Sequence, residues 1–447
     1  MSLIEEVENL RKIVFEQARI IEELKARLDR FEHPKNSNNS SIPPSKDENR
    51  PKRNQSLREK SGKKPGGQKG HKGTTLSFIE VPDRIEKIIP DYCNCCGKDL
   101  RGIEAKLDSK RQVVELPPIT PIYIEYQSYI KTCTCGHKQK GDYPLHITNH
   151  IQYGPSVEAL VGYLSVYQYL PFKRMTELFS DVFHLPISQG SIGNLLQRMG
   201  TKSHVIYDAI QSSIANSKSI GGDETGLKVN GKKYWAWIWQ NTMLTFIAIS
   251  ISRGKQTVQK LFPTGFINAT LNSDRWKTHI ATYARGHQLC LSHLLRDLNY
   301  LIELESTQWA TDLKNLFKKT LELKRKKPQY DKDDKQVVII ETEMDKLLST
   351  KLNQERTPKT VTFQKSMIDN RDYLFPFLYD NDIPPDNNGS ERGIRNIKMK
   401  ISGQFKTGHD TFAKLRSVID TCIKKELSVL HSMQQIAKFN YEFEQAV

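Results

Sequence analysis

The chain of 447 residues has no apolar run long enough to cross a bilayer, and its N-terminal stretch has no apolar signal-peptide core. A membrane-embedded role is excluded on that pattern, and a cytoplasmic setting is expected. Cysteine is scarce for the length: there are seven, clustered locally. A disulfide framework is therefore not expected, and a reducing compartment fits. Residues 1–33 contain neither glycine nor proline, so nothing interrupts a helix there. Residues 34–75 contain almost nothing apolar, so no core can form from them, and disorder is expected.

Charge is plentiful where apolar residues are not. The net charge is +16, and residues 34–75 hold eleven Lys/Arg against three Asp/Glu, half of the excess in under a tenth of the chain. Lys63, Lys64, Lys69 and Lys72 lie in its most basic part. Such a segment suits a sequence-blind nucleic-acid arm through counterion release, or a solvated linker. In residues 1–33, Leu3, Val7, Leu10, Val14, Gln17, Ile21, Leu24, Leu28 and Phe31 recur at alternating steps of four and three. That is a heptad seam with one polar interruption, which predicts a coiled coil.

Residues 76–150 read as a small β-rich unit, with "RQVVELPPITPIYIEYQSYIKTC" alternating like a hairpin around a Pro-containing turn. Cys93-Asn-Cys95-Cys96-Gly97 and Cys133-Thr-Cys135-Gly136 flank it. Cys93, Cys96, Cys133 and Cys135 are the expected ligands of a closed, structural Zn²⁺ in a zinc ribbon, with Cys95 and His137 as substitutes. Residues 151–216 turn helical. "FKRMTELFSDVF", "HLP" and "ISQGSIGNLLQRMG" give helix, short turn and second helix with Ser188 as N-cap, either a DNA-reading pair or a packing unit.

From 217 the pattern becomes α/β. "SIGGDET", "YWAWIWQ", "LTFIAISI", "FINATLNSD" and "LCLSH" read as short strands, with a helix-like stretch between the third and fourth. Asp223 ends the first and Asp274 the fourth. Two aspartates from neighbouring strands and one more acidic residue can hold two Mg²⁺ ions, hard cations that keep sites for water and phosphate oxygens. Glu224 is expected on the opposite side of its strand.

The third acidic candidate is Glu391 in "PPDNNGSERGIRNIKMK". Arg392, Arg395 and Lys398 follow it at helical spacing, and Ile394, Ile397 and Ile401 form an adjacent apolar stripe. Two readings stand on these residues alone. In one, Asn388 caps the helix, Glu391 occupies the capping-box position and Arg395 is its i+4 partner. In the other, Glu391 is a catalytic carboxylate beside cations that grip a phosphate.

"NSNNSSIPPSKD", "KKPGGQKGHKG", the paired cysteines, "GGDETGLKVNGKKYWAWIW", "LNSDRWKTH", "CLSHLLRDL" and "DNNGSERGIRNIKMK" occur in that order. Together they resemble the transposases of the insertion sequence 66 family over nearly the whole chain. The resemblance implies a ribonuclease-H-like catalytic domain with Asp223, Asp274 and Glu391 as an Asp-Asp-Glu triad. It also implies an N-terminal zinc-binding domain on Cys93, Cys96, Cys133 and Cys135. Cys290 and His293 resemble a Cys-x-x-His feature of related transposases and are expected to support the site. The chain departs from the pattern at Arg275, where a small residue is expected, and in the short second cysteine knot.

The implied organisation is a multidomain α+β protein. It has a coiled-coil helix (1–33), a basic linker (34–75), a zinc-binding β domain (76–150) and a helical DNA-binding region (151–216). The catalytic domain (217–298 and 379–410) is split by a helical insertion (299–378), and C-terminal helices (411–447) follow. The expected function is Mg²⁺-dependent cleavage and strand transfer of an insertion sequence. Element-end and target DNA are the partners, with a homodimer or larger assembly and accessory proteins, in the cytoplasm at the nucleoid.

Overall fold

In the computed structural model, residues 3–32, 34–36, 39, 70, 76–144, 146–401 and 404–438 are described. Lys63, Lys64, Lys69 and Lys72, with most of the basic segment, lie outside them. Asn54–Pro121 cluster as a small unit and the rest of the chain as a larger one.

Helix α1 (Leu3–Glu32) spans the glycine- and proline-free stretch as expected. Its seam residues Leu10, Val14, Ile21, Leu24 and Leu28 are exposed. The hairpin expected across 111–133 is not formed: no strand is assigned over 111–129. Pro117, Pro118 and Pro121 remove ladder donors from that stretch, which explains the failure. A short antiparallel pair does form further on, β1 (Ile130–Thr132) with β2 (Lys138–Lys140), enclosing the second cysteine knot.

Four helices precede the sheet: α2 (Pro155–Gly162), α3 (Phe172–Phe183), α4 (Gln189–Lys202) and α5 (His204–Ala215). The expected helix–turn–helix is α3–α4. Ser188 caps α4 by accepting from the Ser191 backbone N–H at 3.0 Å. Met175, Phe179, Ile192, Leu195 and Met199 are buried, so the apolar faces of both helices enter the main core.

The sheet is built from β3 (Ser219–Val229), β4 (Lys232–Gln240), β5 (Thr245–Ser250), β6 (Phe266–Ser273) and β7 (Ala284–Leu289), in the order β5-β4-β3-β6-β7. β3, β4 and β5 form the antiparallel meander, while β6 runs parallel to β3 and β7 parallel to β6. This mixed sheet is consistent with a ribonuclease-H-like domain. Helix α6 (Lys255–Leu261) joins β5 to β6, and α7 (Lys277–Ile280) lies between β6 and β7. The fifth strand is Ala284–Leu289, not "LCLSH". Cys290 already caps helix α8 (Leu291–Glu305), so its partner His293 is helical.

A second apolar core belongs to the insertion: α8, α9 (Gln308–Lys326), α10 (Lys335–Ser349), α11 (Pro358–Asp369) and α12 (Pro376–Tyr379). Trp309, Leu313, Phe317, Ile340, Met367 and Phe375 are buried in it. The chain then returns to the sheet with α13 (Asn388–Ile401), β8 (Gln404–Phe405) beside the far end of β3, α14 (His409–Lys424) and α15 (Val429–Lys438).

Helix α13 buries Ile394 and Ile397, as its apolar stripe predicts. A Cβ at Gly393 would overlap the Ile238 Cδ1 of β4, so glycine lets the helix come this close to the sheet without displacing that side chain. That close approach brings Glu391 to the sheet.

Candidate active site

Asp223 lies on β3 and Asp274 directly after β6. Gly221 pairs with Asn272 in the parallel register, so two residues further on the two aspartates reach the same level. Burial, Glu224 and Asp274 together push the Asp223 carboxyl up to about 7. Its Oδ1 accepts the Glu224 backbone N–H at 2.8 Å, and the Asp274 Oδ1 accepts the Trp276 N–H at 2.9 Å. Two carboxylates that repel across a strand pair form a site that favours a cation.

Glu391 sits in the first turn of α13 with its side chain 25% exposed. It is not paired with Arg395, contrary to the capping-box reading. Its Oε1 accepts from the Arg296 guanidinium at 2.9 Å and lies 3.8 Å from the His293 Nε2, both on α8. Arg392 and Arg395 are exposed, and Lys398 is partly buried. The helix begins at Asn388, so the cap falls one residue earlier, on Asn387, whose Oδ1 accepts from the Ser390 hydroxyl at 2.7 Å.

Asn387 also ties three elements together. Its Nδ2 donates to the Gly222 carbonyl on β3 at 2.7 Å, and its backbone N–H donates to the Cys290 Sγ at 3.2 Å. The Cys290 N–H in turn donates to the Ser273 carbonyl at 2.9 Å. Burial pushes the Cys290 thiol up to about 12, so it acts as a neutral staple. Burial and Arg296 push His293 below its ordinary value, so it stands neutral beside Glu391.

Arg253, His279 and Arg296 join the site, none of them among the expected residues. Glu224 is buried, with Oε2 2.7 Å from the His279 Nε2 and Oε1 2.6 Å from the Arg253 guanidinium. Burial opposes its charge, yet His279 and Arg253 hold it below the usual carboxylate range. Arg296 could have been found from spacing, since it lies one turn after His293. Arg253 and His279 left no local signal, because they meet Glu224 only across the sheet. Arg275 turns toward the insertion, pairing with Asp297 on α8 and placing its guanidinium 4.6 Å over the Phe363 ring. Its departure from the expected small residue thus ties the β6 end to helices α8 and α11.

The cysteine knots are two similar turns. Gly97 N–H donates to the Cys93 carbonyl and Gly136 N–H to the Cys133 carbonyl, each at 2.9 Å, with both glycines at positive φ. Backbone N–H groups of Cys96 and Cys95 lower the Cys93 thiol, and that of Cys135 lowers the Cys133 thiol. Among the described residues, no group of three or more His, Cys, Asp or Glu side chains is arranged to hold a metal ion. A zinc ribbon is therefore not shown, and Glu391 is not gathered with the two aspartates.

The model of the transposase IS66 family matches residues 150–414, from α2 through the sheet, the insertion and α13. The chain belongs to the IS66 family of transposases. It is a transposase of the Asp-Asp-Glu class, a phosphoryl-transfer enzyme acting in DNA transposition. A second family model, of unknown function, matches residues 2–77. No match was found among curated proteins. Among the described residues, no helix of this transposase is long and apolar enough to cross a membrane.

Proposed function

We propose that Asp223, Asp274 and Glu391 are the catalytic carboxylates of this transposase. The observation that carries the reading is the Asp223–Asp274 pair at one level of the sheet, with α13 delivering Glu391 to the same sheet. Transposases of this class generally use divalent metal ions. The donors fit: they are hard oxygens, and the raised Asp223 carboxyl reflects negative charge that a cation would neutralise. Asp223 and Asp274 would hold Mg²⁺, and Glu391 would join once released by Arg296. Two such ions supply charge stabilisation to both the attacking and the leaving oxygen of an in-line displacement.

The chain's own groups then have defined tasks. Arg392, Arg395 and Lys398 steady the phosphate backbone along α13. Neutral His293 and the Cys290–Asn387 staple keep α8 and α13 in register. The Glu224–His279–Arg253 cluster fixes the strand on which Asp223 sits. The products are an element end carrying a 3′-hydroxyl and then its joint to target DNA, with no covalent protein intermediate.

The basic segment with Lys63, Lys64, Lys69 and Lys72, and the α3–α4 pair, are assigned to holding DNA. Cys93, Cys96, Cys133 and Cys135 are assigned to structural Zn²⁺, which the lowered Cys93 and Cys133 thiols favour. The exposed heptad seam of α1 is assigned to self-association, and the setting to the cytoplasm. The test is incubation of the full chain with element-end DNA and Mg²⁺. Cleaved and joined products are expected from the wild type and none from Asp274→Asn; full activity in that variant would refute the site.

A further inference from the structure

"YWAWIW" on β4 places three tryptophans on one strand face. Two of them, Trp237 and Trp239, are fully buried and stack with ring centroids 5.5 Å apart. The third, Trp235, emerges at the rim and is only partly buried. There it meets two cations. The Lys233 Nζ lies 5.0 Å from its ring centroid and the Arg253 guanidinium 4.7 Å. The same guanidinium lies 3.7 Å from the ring of Trp276, whose backbone N–H holds the Asp274 carboxylate. Four side chains therefore alternate cation and aromatic, from an exposed lysine to a residue touching the candidate catalytic carboxylate.

Core packing does not require this arrangement. Arg253 gives Nε and one terminal nitrogen to Glu224, which leaves other N–H donors on a side chain 35% exposed. Basic and aromatic groups continue beyond it. Lys255 lines a cavity of about 440 Å³ with Tyr283, Arg285, His287 and Tyr373. Duplex DNA presents phosphates but hides the faces of its bases. Alternating rings and cations instead match a single strand, whose unstacked bases lie on aromatic faces while its phosphates meet cations.

We propose that the Lys233–Trp235–Arg253–Trp276 ladder is a binding track for single-stranded DNA, running on the face of β3 and β4 that carries Glu224 and meeting the candidate site through Trp276 beside Asp274. The proposal rests on the catalytic reading above and adds a ligand class to it. The test measures equilibrium binding of the full chain, without divalent metal and at fixed salt. The probes are a labelled blunt duplex and the same duplex carrying a short oligothymidine tail. The wild type should bind the tailed probe more tightly. Trp235→Ala should weaken tailed binding by about tenfold and leave blunt binding unchanged, while Trp235→Phe retains most of the preference. Unchanged blunt binding serves as the folding control, and Lys233→Glu, at an exposed position, should weaken tailed binding independently.

No tail preference in the wild type would overturn the proposal. So would equal loss on both probes in Trp235→Ala with no selective loss in Lys233→Glu. The catalytic reading is judged separately by Mg²⁺-dependent cleavage. Tail preference without cleavage keeps the track and removes the catalytic reading; cleavage without tail preference removes the track alone.

Discussion

Replacing Asp223 by asparagine should abolish catalysis and yet stabilise the metal-free protein. Asparagine keeps the shape and an oxygen able to accept the Glu224 N–H, but it removes a charge that burial, Glu224 and Asp274 all oppose. The Asp223 carboxyl stands at about 7 against an ordinary 3.8. At about 1.4 kcal/mol per pH decade, its ionisation costs the folded state about 4 kcal/mol at pH 8, or about 2 after screening at a partly exposed site. The sign follows from linkage. A raised carboxyl carries no penalty below about 4, where both folded and unfolded states are protonated. The penalty grows as pH rises and is complete above about 7. Asp223→Asn should therefore melt roughly 2–4 °C above the wild type at pH 8 in EDTA, with the gap closing toward pH 4. Differential scanning fluorimetry across pH reads this directly. Added Mg²⁺ should raise the wild type and not the variant. A variant less stable than wild type at pH 8 in EDTA would refute the claim that the aspartates repel across the strand pair.

Three further outcomes follow from the contacts. Arg296→Ala removes the cation that holds Glu391 at 2.9 Å, so the Mg²⁺ concentration for half-maximal cleavage should fall several-fold; a rise would mean that Arg296 assists the metal rather than competing with it. Gly393→Ala forces a methyl against the Ile238 Cδ1, so stability should drop by about 1–3 kcal/mol and cleavage with it. Adding Ile238→Ala should restore part of both, and no restoration would place the defect elsewhere. If the cysteine knots serve zinc, the purified protein carries about one zinc per chain by elemental analysis, and Cys93→Ser and Cys133→Ser each lose it; zinc retained in both would exclude those ligands.

Much of this architecture can be read from local pattern. The meander strands, the uninterrupted first helix, the Ser188 cap and the buried Ile394–Ile397 stripe all come from periodicities of two or 3.6. What escaped depends on contacts distant in sequence or on single backbone donors. "LCLSH" has strand-like composition, yet helix α8 starts inside it and the strand ends at Leu289. The alternating residues of 111–129 have no strand partner, and three prolines remove donors that pairing would need. At α13, Asn387 and Asn388 are equivalent as cap residues by composition. The bonds from Asn387 to Gly222 and Cys290 decide between them, and both cross more than ninety residues of sequence. Helical spacing offered Arg395 to Glu391, but α8 supplied Arg296 instead. Asp274 could be found because strand ends advertise such residues, whereas Asp223, expected at the end of its strand, lies inside β3, which runs on to Val229. The cluster of Glu224, Arg253 and His279 could not, because no spacing along the chain links its members.

The central claim is that Glu391 leaves Arg296 to complete a metal site with Asp223 and Asp274. Its most direct test is a strand-transfer assay with element-end DNA and Mg²⁺, comparing Glu391→Gln with the wild type at matched DNA binding. The account predicts loss of cleavage and joining by at least about a hundredfold, with DNA affinity retained. Full strand transfer by Glu391→Gln would contradict it.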